Sequence, residues 1–122
     1  PNMFTHENND KIKEFVYKGE GISGNPQRNY ALTKLTIKDT FLYYLDDDNI
    51  IHPTLYKLLN MLDSNKIYTF NQENRLKGNN INVRQIDTAM CLVHYNLCQN
   101  IEWINDRYDA DGYYIKDCYD RN

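Results

Sequence analysis

Five apolar and aromatic residues in a row, Phe41-Leu42-Tyr43-Tyr44-Leu45, run without a linker into Asp46-Asp47-Asp48-Asn49. A short unbroken apolar run is the pattern of a strand covered on both faces, and such strands belong to α/β sheets with helices packed over them. The aspartates then mark the carboxyl end of a buried strand, where concentrated negative charge is costly unless something compensates it. In open α/β sheets ligands gather outside the carboxyl ends of strands, and clustered carboxylate oxygens suit a hard divalent cation. On an extended backbone alternate side chains share a face, so Asp46 and Asp48 are expected to converge while Asp47 points away. The plainer alternative is a solvated acidic turn. An EF-hand is excluded, because Ile50 falls at the third ligand position and no glycine follows.

At 122 residues the chain is expected to be a single domain over 1–122, burying roughly two thirds of its unfolded surface. The net charge is −3 and no basic stripe could track a phosphate backbone, which argues against nucleic-acid binding. No apolar stretch approaches the roughly 20 residues of a membrane span, and no signal-peptide pattern opens the chain. Cys91, Cys98 and Cys118 cannot all pair within the chain and lack zinc spacing. Reduced thiols and a cytoplasmic location are the expectation.

Residues 1–10 read as a polar loop and 13–17 as a first strand ended by Gly19 and Gly21. Gly24-Asn25-Pro26-Gln27-Arg28-Asn29 reads as a turn that leads into a short helix over 30–35. Pro53 fits the first turn of a helix whose Leu55, Leu58, Leu59 and Leu62 form a core-facing stripe. A strand is expected over 66–70, with a turn at Gly78 closing a hairpin with 81–83. Periodicity leaves 86–94 open between strand and helix, and we favour a strand through Val93. A helix over 95–101, an acidic loop over 106–109 and a closing helix over 110–119 complete a mixed α/β sheet flanked by helices.

Other side chains carry chemistry of their own. Asp111, in Asp109-Ala110-Asp111-Gly112, either caps the last helix or serves as a general base kept ionised by that helix end, and spacing alone favours the cap. A calcium loop centred on Gly112 fails, because Arg107 and Cys118 would occupy ligand positions. Asp87 borders an apolar run, where a structural hydrogen bond and a contact to a substrate hydroxyl are evenly matched. Arg28 opens a helix, a place that attracts phosphate, although a plain surface arginine is commoner. Trp103, with Tyr108, Tyr113 and Tyr114, offers a sugar-stacking platform or else belongs to the core. His6, His52 and His94 share no ligand spacing.

Taken in order, the segment from Gly24 to Leu32, Tyr44-Leu45-Asp46-Asp47-Asp48-Asn49, Ile86-Asp87-Thr88-Ala89 and Ala110-Asp111-Gly112 resemble the metal-dependent glycosyltransferases of the GT-A fold, and among them the family-two-like enzymes and glucuronyltransferases. The resemblance implies a GT-A sheet and transfer of a sugar from a nucleotide-diphosphate donor, a UDP-sugar foremost, to the hydroxyl of a carbohydrate or glycoconjugate acceptor. It implies that Asp48 binds Mn(II) or Mg(II), and that Asp46 meets the ribose or the metal shell while Asp47 assists nearby. It further implies that Arg28 lies near the nucleotide, Asp87 near the acceptor and that Asp111 acts as the base of an inverting reaction, while Trp103, as a stacking aromatic, is expected on the acceptor side. A retaining transferase, in which Asp111 orients substrate, and a carbohydrate-binding or interaction module without chemistry are the rivals. The family more often has a Glu-Asp pair where this chain has Ala110-Asp111. Its nucleotide-base strand and loop precede the first motif here, and its C-terminal basic or histidine segment has no counterpart, so the resemblance implies a domain incomplete at its N-terminus.

Overall fold

The computed structural model describes residues 11–122. The polar loop expected over 1–10, with His6, lies outside the described residues. The chain forms a small mixed α/β domain whose sheet has three strands in the order β1-β3-β2, with β1 at Phe41–Tyr43, β2 at Tyr68–Thr69 and β3 at Cys91–His94. Both pairings are antiparallel, with Leu42 opposite Val93 and Tyr68 opposite Leu92. The described sheet is thus antiparallel throughout, where the sequence led us to expect a mixed one. Among the described residues no helix is long and apolar enough to cross a membrane.

The strand covered on both faces is β3. All four of its residues are buried, and it sits between two neighbours. The run from Phe41 supplies an edge strand that is only half-buried. It ends at Tyr43, and the aspartates that follow close a turn in which the Asn49 amide donates to the Asp46 carbonyl (3.1 Å) and the Asp46 amide to Asn49 Oδ1 (2.9 Å).

Helix α1 spans Asn25–Thr33, beginning five residues before the expected start. Pro26 occupies its first turn, where a missing N–H costs nothing, and Gly24 enters it at φ 76°, a conformation that glycine adopts without strain. Helix α2, Thr54–Leu58, tightens to a 3-10 turn over Leu59–Met61. The change from 3.6 to three residues per turn breaks the leucine stripe, and none of these residues is buried. A 3-10 turn at Thr88–Met90 leads into β3, and α3, Tyr95–Cys98, follows it. Neither 13–17 nor 81–83 forms a strand. The first instead packs Tyr17 face to face on Tyr30 at 4.8 Å. After Thr69 the hairpin is replaced by side-chain bonds to Gly78, from Thr69 Oγ1 to its carbonyl and from its amide to Asn71 Oδ1.

The core lies between β3 and α4, Ala110–Asp120. Ala110, Tyr114, Ile115 and Cys118 recur at helical spacing and are all buried, as an amphipathic stripe requires. Cys91, Cys98 and Cys118 are free and buried, and burial pushes the Cys91 thiol up to about 12, so these are inert, protonated core groups. Gly112 faces the loop before the Thr88 turn so closely that a Cβ there would stand 2.8 Å from Val83 Cα and 3.1 Å from Arg84 N. Alanine is the better helix former by about 1 kcal/mol, yet Gly112→Ala should destabilise the fold by about 1–3 kcal/mol, because backbone must move to admit the methyl group. A urea midpoint equal to or above that of the parent chain would show the contact to be soft.

Candidate active site

A cleft of about 140 Å³ opens where four segments distant in sequence meet. The start of α1 contributes Asn25 and Arg28, the turn after β1 contributes Asp46, the entry to the 3-10 turn contributes Asp87 and Thr88, and the approach to α4 with its first turn contributes Trp103, Tyr108 and Asp111. A larger hollow of about 490 Å³ runs along α1 past Tyr17, Tyr30 and Tyr95, but among the described residues its charged groups are only Lys38 and Glu102. Chemistry therefore points to the smaller one, which gathers three carboxyls and a guanidinium.

Arg28 is held from several sides. Its NH1 donates to the Ser23 carbonyl (2.8 Å) and Asn25 Oδ1 (3.0 Å), and the guanidinium lies 4.6 Å from the centre of the Trp103 ring. Its NH2 is directed at Asp46 Oδ1, 2.7 Å away. A guanidinium fixed by other partners and offering N–H groups to a carboxylate is a preformed anion seat. Asp46 is half-exposed at 46 %, so this ion pair adds little to stability.

Of the aspartate run only Asp46 reaches the cleft. Asp47 and Asp48 lie exposed in the turn, and the turn replaces the extended backbone on which the convergence of Asp46 and Asp48 rested. Among the described residues no three His, Cys, Asp or Glu side chains form a group that could hold a metal ion. Asp46 and Asp48 carry the oxygen donors that a hard divalent cation takes, but no third such side chain joins them among the described residues, and Arg28 already engages Asp46 Oδ1.

Asp87 and Asp111 form the polar floor. Asp87 caps the 3-10 turn by accepting from the Thr88 amide (2.8 Å), while Gln72 Nε2 donates to its other oxygen (2.9 Å). Asp111 sits in the first turn of α4, where it accepts from the Gly112 amide (2.7 Å) and, more distantly, from Thr88 Oγ1 (3.4 Å). Asp111 is thus not the residue that caps α4, a position taken by Asp109, but an acid of its first turn that also lines the cleft. Burial, then the hydrogen-bonded Asp87 carboxyl, raise Asp111 to about 6. Burial works against ionisation of Asp87 too, but hydrogen bonds from Asp111, Thr88 and Gln72 and the charge of Arg75 outweigh it and hold Asp87 below its ordinary value. Below about pH 6 the one proton of the pair therefore rests on Asp111 and not on Asp87.

Trp103 is not a platform for sugar. It is 2 % exposed, with Tyr114 stacked on it at 4.5 Å and the Arg28 guanidinium over its ring. Its main chain is clamped by Asn29, whose Oδ1 accepts from the Trp103 amide (2.7 Å) and whose Nδ2 donates to the Trp103 carbonyl (2.8 Å). Sequence reasoning missed this role of Asn29. It also missed that of buried Asn25, whose Nδ2 holds the Ile104 and Arg107 carbonyls at 2.9 Å each. Nothing in an Asn-rich sequence marks these two.

Comparison with protein-family models, with curated proteins and with solved structures found no match to this chain.

Proposed function

We propose that this domain belongs to a glycosyltransferase that moves a sugar from a nucleotide-diphosphate sugar, a UDP-sugar foremost, to a carbohydrate hydroxyl, on a GT-A-like frame. The observation that carries the reading is the meeting of Arg28, Asp46, Asp87 and Asp111, one from each of the four motifs, around a single cleft. Arg28 is the seat for the charge that gathers on a departing diphosphate, with a phosphate oxygen in place of the Asp46 carboxylate. Asp111 takes the proton of the acceptor hydroxyl, and its value near 6 suits a base at neutral pH. Asp87 orients that hydroxyl and receives the hydrogen bond of the protonated Asp111. Attack opposite the leaving group inverts the anomeric centre, and product anomer analysis separates this from retention.

Asp46 and Asp48 are the residues that would hold Mn(II) or Mg(II), with Asp47 beside them, and a bound ion there supplies Lewis-acid stabilisation of the leaving diphosphate. The solvent position of Asp47 and Asp48 favours a second reading, a carbohydrate-binding module without chemistry. That module predicts glycoside affinity indifferent to metal and to Asp48→Ala. The experiment is a panel of nucleotide sugars incubated with the protein and Mn(II), followed as nucleoside diphosphate released on addition of acceptor glycosides. Release that needs both Mn(II) and Asp48 supports the transferase. Failure of every nucleotide sugar to bind or turn over refutes it.

A further inference from the structure

With Trp103 closed on both faces, the cleft has one other aromatic residue in its lining among the described residues, Tyr108. A lone exposed tyrosine needs no explanation on most surfaces. This one is 85 % exposed at the mouth of a cleft floored by carboxyls, on a loop that is tied down on either side of it. Asn25 holds the Arg107 carbonyl, while Asp109 binds Arg107 Nε at 2.8 Å and Arg84 Nε at 3.2 Å. A loop held on both sides thus presents a solvated ring, and a tyrosine gives large contact area at low entropic cost. The volume narrows the ligand: about 140 Å³ lies well under the roughly 300–1,000 Å³ of sites that enclose a drug-sized molecule. That volume does not enclose a whole nucleotide sugar.

We infer that Tyr108 is the stacking surface for the acceptor sugar, a pyranose whose C–H face lies on the phenol ring while its hydroxyls meet Asp87 and Asp111. The negative face of an aromatic ring attracts weakly positive C–H bonds, and the carboxyls accept from O–H groups on the other side. This rests on the transferase reading for the word acceptor, but binding can be tested apart from transfer.

The test is saturation-transfer NMR with methyl glucopyranoside, galactopyranoside and N-acetylglucosaminide, without nucleotide or metal. Saturation should reach the ring C–H protons of at least one glycoside. Tyr108→Ala should weaken that binding about three- to tenfold, the worth of one aromatic face, and Tyr108→Phe should leave it within about twofold. An unchanged Tyr108→Ala overturns the assignment while leaving carbohydrate binding in place. A loss in Tyr108→Phe as large as in Tyr108→Ala makes the hydroxyl the contact and overturns stacking. If no glycoside binds the parent chain, the subsite is refuted, and release of diphosphate from nucleotide sugars then judges the transferase separately.

Discussion

Trp103→Ala should cost about 3–5 kcal/mol, as deletion of a buried aromatic core residue does, out of the roughly 5–15 kcal/mol that holds a domain of this kind folded. The size of the effect follows from what the ring touches. Tyr114 stacks on one face, Tyr44 meets it edge-on with centroids 4.9 Å apart, and Arg28 lies over it. The Tyr44 and Tyr114 hydroxyls also meet at 3.2 Å, and burial pushes Tyr44 up to about 12, so the cavity left by the indole would open beside neutral phenols already committed to each other. Thermal unfolding followed by circular dichroism should fall by on the order of 10 °C or more. Trp103→Phe should recover much of this, since a ring still supports Tyr114. If Trp103→Ala unfolds at the parent temperature, the indole is not the keystone that its contacts describe.

That same residue shows where sequence reading stops. Arg28, Asp46, Asp87 and Asp111 were legible because each lies in a motif, and motif order survives without knowledge of packing. The choice of aromatic did not survive. Trp103 and Tyr108 stand five residues apart in one loop, and their opposite fates depend on Asn29 clamping one main chain and Asn25 holding the carbonyl before the other. Those contacts span more than 70 residues, and no local pattern announces them.

The elements divide in a similar way. Helix α4 was legible to within a residue because its apolar stripe is local and strongly periodic. The start of α1 was hidden because Gly, Asn and Pro serve turns and helix entries alike. The run from Phe41 does form a strand, but its place at the edge, with β3 at the centre, depends on pairing partners that composition does not reveal. The expected strands at 13–17 and 81–83 failed for want of such partners. The backbone after Leu45 turns because Asn49 supplies both hydrogen bonds of the turn, and this alone separates Asp48 from the cleft that Asp46 enters.

Asp111→Asn should lower turnover by about 10²–10⁴-fold, the range supplied by a positioned general base, while the fold stays as stable near neutral pH or becomes more so. The sign follows from the proton. Asp111 rises from 3.8 to about 6 in the fold, so between these values the native chain holds a proton that the unfolded chain has lost. Stability is therefore greatest at the acid end of that window and declines as pH rises to about 6, above which the native state contains an ionised carboxyl beside Asp87. An asparagine keeps the acceptor for the Gly112 amide and donates an N–H toward Asp87 as the protonated acid does, but it never ionises. Its urea midpoint should fall less than that of the parent between about pH 5 and about pH 8. On the proposed transferase reading activity runs the other way, because only an ionised Asp111 could accept the hydroxyl proton: parent turnover should climb through about pH 6 and then level, with the residual rate of the variant lacking that step. In the proposed role, an acid half-protonated near 6 would trade stability for reactivity across the same interval. Parent and variant with equal turnover would remove Asp111 from the chemistry, and equal midpoint changes with pH would remove its shared proton.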